Sequence, residues 1–436
     1  MTRRPVTGVA PTTGGAAPAD YDGFGPGNLP YGVDLAGHVV VAYGDKVIDL
    51  VALLCEELRP GKETVPLAGN ISIDPGTFAS GSLNAFMALG RPTWNATRRW
   101  LRHRLSDLPG RSVRDRKDVE LVLPFEVADY VDFYSCEAHV AAMGRMLRPG
   151  EEPLPPAWRH IPMAYHGRSA TVVVSGEAVP RPAGVASSRD SGPGYIPTRR
   201  LDVEVELGFV VGAGNRRGEP VPVEQAHQHI FGVVLVNDWS ARDIQAFEYR
   251  PLGPFLGKSF ATSVSPWVVP LEALAPWAVA GPPQDPEPAA YLKAPEPRGL
   301  DVSLELSLNG TVVSTSSSAG LYWSMAQQLA HITVNGAAAR TGELFATGTI
   351  SGTTPGTAGS LMELTSAGRD PIVLAGGAKR AWLEDGDEAV VRGWCGTPGV
   401  PGWISLGEVG GRVLPAGSSG VNYRTHPDIG EEMVRL

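Results

Sequence analysis

Four runs rich in β-branched residues constrain this chain more than anything else in it. They are VVVSGEAVP (172–180), LDVEVELGFVVG (201–212), FGVVLVND (231–238) and DVSLELSLNGTVVSTSS (301–317). Such residues favour the pleated, half-buried surface of a sheet. Asn309–Gly310, set between alternating runs, is the strongest hairpin signal in the sequence. Helical patterns are few and do not alternate regularly with the strands, which argues against a doubly wound sheet or an α/β barrel. The expectation is a mainly β protein of the α+β class. Gly212 and Gly214 follow a strand but open no helix, so they read as turns and not as a dinucleotide site.

Upstream, HVVVAY (38–43), Gly44–Asp45 and KVIDL (46–50) read as a further hairpin, and helical patterns follow around 51–58, 77–89 and 92–107. LPGRSVRDRKD (108–118) reads as a linker. The expected organisation is a flexible tail over 1–22, an N-terminal unit over 23–118, a larger sheet-rich unit over 119–418 and a second tail over 419–436. The proline-rich stretch from Pro266 to Pro297 reads as a long surface loop. YWSMAQQLAHITVNG (322–336) has helical period and a glycine stop, and reads as the main helix of the second unit.

The formal net charge of −9 argues against a nucleic-acid partner. One basic stretch, Arg91 to Lys117, reads as the solvated face of an amphipathic helix. No window has the roughly 18 apolar residues of a membrane span. The cysteines, Cys55, Cys136 and Cys395, are widely spaced and suit a reducing, cytoplasmic setting without disulfides. Of 37 basic residues six are lysines. Lys258, inside the apolar run GPFLGKSF, therefore stands out.

Three segments carry candidate chemistry. In LDVEVELGF, alternation places Leu201, Val203, Val205 and Leu207 toward a core and Asp202, Glu204 and Glu206 on the opposite face. Two carboxylates at i and i+2 can share a hard cation such as calcium or magnesium; a solvent-facing acidic edge is the alternative. In NDWSARDIQAFEY, Asp238 at a helix start, with Arg242, Gln245 and Tyr249 after it, would align along one helix face. An N-cap aspartate with an ordinary surface ion pair explains that pattern equally well. In DYVDFYSCEAHVAAMGRMLRPG, Asp132 and Tyr134 precede a helix that contains His139 and ends at Arg148. His139 is a base or a satisfied structural histidine. Thr349 falls in a loop and Glu363 in a strand.

Taken together, these segments resemble the fumarylacetoacetase family, whose members catalyse the last step of tyrosine and phenylalanine breakdown. The resemblance runs from NLPYGV (28–33) to RVLPA (412–416). It is dense at DFYSxxxH, PMAYHGRSATVVVSG, LDVEVELGFVVG, HIFGVVLVNDWSARDIQ, EYRPLGPFLGKSFATSVSPWVVP, YWSMAQQLAHITVNG and ATGTISG. It implies a small N-terminal Src-homology-3-like β-barrel followed by a mixed β-sandwich roll, assembled as a homodimer. It also implies a small-molecule β-diketone acid substrate whose carbon–carbon bond is hydrolysed, with Ca2+ or Mg2+ and no organic cofactor. By the same resemblance Asp132, Glu204, Glu206 and Asp238 would ligate the cation, and Lys258 and Thr262 match a second, magnesium-type site. His139 would activate water, oriented by Glu363. Arg242, Gln245 and Lys258 would stabilise the oxyanion and departing carbanion, while Tyr134, Arg148, Tyr165, Gln245, Tyr249 and Thr349 would hold substrate. Related fumarylpyruvate or acylpyruvate hydrolysis, oxaloacetate decarboxylation, and a non-catalytic metal-stabilised scaffold are the rival readings. Cys136 and Glu137 depart from the family's usual residues before the histidine.

Overall fold

The computed structural model describes residues 22–188 and 192–417. Both expected tails therefore lie, apart from Asp22, outside the described residues. The first sheet is antiparallel and five-stranded, in the order Val113–Asp115, Lys46–Asp49, Val39–Tyr43, Tyr31–Asp34, Leu121–Val122. Its expected hairpin is present, with Gly44 at φ 58°, a left-handed turn position that suits glycine. The stretch 108–118 is not a linker: Val113–Asp115 is an edge strand of this sheet, and Leu121–Val122 closes the opposite edge. The helical pattern at 77–89 breaks into a 3-10 turn at Pro75–Phe78 and one turn of helix at Asn84–Met87. Gly81 at φ 80° separates them.

The long basic helix is Arg91–Arg104, with Pro92 in its first turn. Its basic face is not wholly solvated. Arg98 is buried, and its guanidinium donates to the carbonyls of Gly27 and Asn28. The helix is thus tied to the chain that enters the first sheet.

The central sheet is mixed and eight-stranded. Its path runs Val172–Val174, Thr262–Val264, Ile230–Asp238, Val205–Val211, Leu344–Ala346, Tyr130–Phe133, Ala164–His166, with Val269–Pro270 added beside Ile230–Asp238. A third, five-stranded sheet follows the order Val179–Pro180, Ile404–Leu414, Glu388–Cys395, Ser303–Leu308, Thr311–Ser317. Asn309 and Gly310, both at positive φ, make the expected turn between its last two strands.

The central sheet is buried on both faces. Val233 and Leu235 join Leu304, Leu306, Val391 and Leu406 in one core. Val234 and Val236 join Tyr31, Phe86 and Trp94 of the N-terminal unit in another. That two-sided burial explains why FGVVLV is a continuous apolar run without polar alternation. The sheets approach so closely that a Cβ on Gly393 would sit 2.6 Å from Leu235 Cδ2.

Residues 266–297 are also more ordered than a loop. They hold the strand Val269–Pro270, the helix Leu271–Leu274 and the strand Ala278–Val279. Gln284 and Gln327 hydrogen-bond reciprocally, anchoring the stretch to the helix Met325–Thr333. That helix starts with a Ser324–Gln327 capping box. It is shorter than Glu137–Leu147, which is the longer helix of the second unit.

Candidate active site

Asp132 lies near the end of the strand Tyr130–Phe133, paired in parallel with Ala346. Glu204 follows a break in the strand predicted over 201–212. Leu201–Asp202 pairs with Ser240–Ala241, and Val205–Val211 then enters the central sheet. The break turns the carboxylates without exposing them: Asp202, Glu204 and Glu206 are all buried. The solvent-facing acidic edge is therefore excluded. Asp238 is not the first residue of a helix. It ends the strand Ile230–Asp238, where it pairs with Thr262, and the helix starts later at Arg242. The expected single helix face is thus carried by Arg242, Gln245 and Tyr249 alone. Glu363 is likewise on the short helix Leu361–Leu364 and not on a strand.

Folding brings Asp132, Glu204, Glu206 and Asp238 together, each offering a carboxylate oxygen within 4.8 Å of the others. Two cations offset part of the cluster's charge. Lys258 Nζ donates to Glu204 and, at 2.6 Å, to Asp238 Oδ2. Arg242 Nη2 donates to Glu204 Oε1 at 2.6 Å and its Nη1 to Gln245 Oε1 at 3.1 Å. Tyr165 and Thr262 hydroxyls each donate to Asp238 at 3.1 Å.

Burial, with Asp238 and the other carboxylates nearby, pushes the Asp132 carboxyl well above its ordinary range. Burial and the same neighbours do so for Glu206. Glu204 differs, because Arg242 and Lys258 outweigh its burial and hold it below the usual carboxylate range. Asp132 Oδ1 and Glu206 Oε1 are buried without a hydrogen-bond partner among the described residues. Orphaned carboxylate oxygens in an all-oxygen donor set suit a hard divalent cation.

His139, buried on Glu137–Leu147, contacts Glu363 Oε2 through Nδ1 at 2.7 Å. Its Nε2 faces the cluster, 4.0 Å from Glu204 Oε1. Ser351 and Ser360 hydroxyls also donate to Glu363 Oε2, at 3.0 and 2.7 Å. Burial opposes the Glu363 charge, yet His139 and the two serines hold its pKa below the ordinary value. The Tyr134 ring packs edge-on against His139, centroids 5.5 Å apart.

These groups open into one cavity of about 320 Å³. All the candidate residues line it except Glu363, Asp238 and Thr262, which stand directly behind His139, Lys258 and Asp238 respectively. Arg148, Tyr249 and Thr349 lie on its walls. Ser351 and Ser360, the supports of Glu363, were not legible in the sequence, since a lone serine near a glutamate carries no signal. Asp202 was visible on the strand, but its partners were not.

The sequence family described as fumarylacetoacetase N-terminal matches residues 27–129, and that described as fumarylacetoacetate (FAA) hydrolase C-terminal matches residues 130–413. The fumarylacetoacetase of Homo sapiens is 44% identical over 412 residues, covering 89% of this chain and 96% of that protein. The fumarylacetoacetase of Arabidopsis thaliana is 41% identical over 411 residues, covering 89% and 95%. In solved structures the fold is shared with a fumarylacetoacetate hydrolase from Exiguobacterium antarcticum, at TM-score 0.53 and 16% identity, covering 89% of this chain and 99% of that one. With both family regions present in order and this identity sustained along the chain, it belongs to the fumarylacetoacetase family.

Proposed function

We propose that this chain hydrolyses fumarylacetoacetate to fumarate and acetoacetate, acting on a carbon–carbon bond between ketonic groups. The observation that carries the proposal is the pairing of His139 with Glu363 beside the carboxylate cluster and its two cations, inside one cavity. Asp132, Glu204, Glu206 and Asp238 would hold Ca2+ or Mg2+, and Lys258 with Thr262 would mark a second, magnesium-type position. When bound, the cation supplies Lewis-acid polarisation of the diketone oxygens.

The protein's own groups do the rest. Glu363 fixes the Nδ1–H tautomer of His139, so that Nε2 presents a lone pair toward the cluster. His139 takes a proton from water, and the resulting hydroxide adds to the carbonyl carbon of the fumaryl group. Collapse of that adduct breaks the carbon–carbon bond. The electron pair leaves on acetoacetate, which then takes up a proton. Arg242, Gln245 and Lys258 present donors where the negative charge develops. Arg148 and Tyr134 suit a terminal carboxylate, by guanidinium and phenol hydrogen bonds. Tyr165, Tyr249 and Thr349 complete the hold on substrate. A scaffold without catalysis would need none of this alignment.

The test is the loss of enediketone absorbance when purified protein meets fumarylacetoacetate, with fumarylpyruvate and an acylpyruvate run in parallel. Turnover of those two alone would overturn the assignment. His139 and Glu363 are expected to act as one unit. His139→Ala costs at least about two decades in turnover, and adding Glu363→Gln costs little more. A double variant that loses the product of the two single effects contradicts the dyad.

We further propose a homodimer in a reducing cytoplasm. The free cysteines are compatible with that setting, and no helix among the described residues is long and apolar enough to cross a membrane. Light scattering is expected at twice the 46.0 kDa of one chain; a monomer at micromolar concentration refutes the assembly.

A further inference from the structure

Asp202 lies outside the proposed cation cluster, yet it is fully enclosed and has four hydrogen bonds. Its Oδ1 accepts from the backbone N–H of Val203 at 2.8 Å and of Leu361 at 2.7 Å. Its Oδ2 accepts from Met362 N at 3.1 Å and from Arg242 Nε at 2.8 Å. Leu361 and Met362 are the first two residues of the helix that carries Glu363. One carboxylate therefore grips the Glu363 helix on one side and the Arg242 guanidinium on the other.

The surrounding backbone leads to the same point. Arg242 N donates to Arg200 O at 3.0 Å, and Val205 N donates to Gly359 O at 2.9 Å. Glu204 forms an isolated bridge with Ser360. Three segments far apart in sequence, around 200–205, 240–242 and 359–363, thus meet at Asp202. Bonds between an ionised carboxylate and N–H donors are among the stronger ones available to hold them.

Resting on the function proposed above, we propose that Asp202 is a positioning residue. It sets the distance between the His139–Glu363 pair, where water is activated, and the Arg242 donor, where charge develops, without itself touching substrate. It is absent from the cavity lining, as this role requires. A small misplacement of either arm costs rate far more than binding, on the order of 100-fold when reacting groups move by about an ångström.

Asp202→Asn tests this. An amide keeps the size but cannot accept from all four donors, so the grip on one arm must loosen. In the folded variant, kcat is expected to fall about 100-fold while KM and calcium affinity, the latter read by calorimetry, stay near those of the parent. The loss should be less than multiplicative with Glu363→Gln and also with Arg242→Gln, because the three changes act on shared geometry. Should Asp202→Asn fail to fold, Asp202→Glu keeps the charge, displaces the carboxylate by one methylene, and is read in the same way. Parental kcat in the folded fraction, with only a lower melting temperature, overturns the inference by making Asp202 merely structural. Coupling to only one of the two arms overturns it as well. If His139→Ala and Glu363→Gln themselves leave turnover intact, it is the underlying catalytic reading that fails; if they abolish it and Asp202→Asn does not, only the positioning role falls.

Discussion

Exhaustive chelation is expected to remove all measurable turnover, and either Ca2+ or Mg2+ to restore it. The four clustered carboxylates carry more negative charge than Lys258 and Arg242 can match. Three of them, Asp132, Glu206 and Asp238, are pushed upward by burial and by the other carboxylates, so each holds a proton more readily than an ordinary carboxylate. A divalent cation competes with protons for these carboxylates, and the sign follows. Raising the pH leaves fewer protons to expel, so apparent affinity should rise with pH, and calorimetry in buffers of different ionisation enthalpy should show proton release. Glu204→Gln removes the carboxylate held ionised by Arg242 and Lys258, and should weaken cation binding together with rate. Full turnover by verified metal-free protein, or affinity that falls as pH rises, would remove the basis of the assignment.

Lys258→Met is expected to lower kcat by about two to three decades, the cost typical of deleting one donor to a developing oxyanion. The bland account makes Lys258 a counter-ion, and the geometry gives that account weight: its ammonium bonds Glu204 and Asp238 at once. Burial pulls its pKa down, but Asp238 and Glu204 raise it above the ordinary lysine range, so it is charged throughout the working pH span. The two accounts differ in what else changes. A counter-ion's loss destabilises the ion-free protein and leaves the cation-loaded enzyme near its parental rate. A donor to the departing acetoacetate is needed only in the transition state, so its loss lowers kcat and leaves analogue binding nearly unchanged. Lys258→Arg should rescue poorly, because a planar fork cannot replace a compact ammonium bonded to two carboxylates. Early melting with near-normal turnover in the loaded protein would assign Lys258 to structure.

Much of this was legible in the residues. The β-branched runs located Val205–Val211, Ile230–Asp238, Ser303–Leu308 and Thr311–Ser317, because burial on one or both faces leaves a direct mark on side-chain type, but Glu388–Cys395 and Ile404–Leu414, the longest strand described, went unread. Asn309–Gly310 located a turn, because positive φ demands particular residues, and the helical period and glycine stop of 322–336 located the helix Met325–Thr333. The alternation in LDVEVELGF placed Leu201, Val203, Val205 and Leu207 in one core and turned the carboxylates away from it. The roles proposed for the site residues rest on the family resemblance, because periodicity could not suggest them.

What only the tertiary structure decided concerns partners remote in sequence. Whether Glu204 and Glu206 face solvent or each other across a buried site depends on Asp132 and Asp238, which arrive from other strands. Asp238 was misplaced at a helix start because Asn-Asp before a helical pattern resembles a cap; cross-strand pairing with Thr262 instead prolongs the strand through it. Glu363 was misread as a strand residue because one turn of helix is too short to show a period. Arg98 was read as solvated because its acceptors, the carbonyls of Gly27 and Asn28, are backbone groups that leave no mark in side-chain patterns. Asp202 is the sharpest case. Its type and strand position are local facts, but its four donors come from three segments, and that convergence exists only once the sheets have packed.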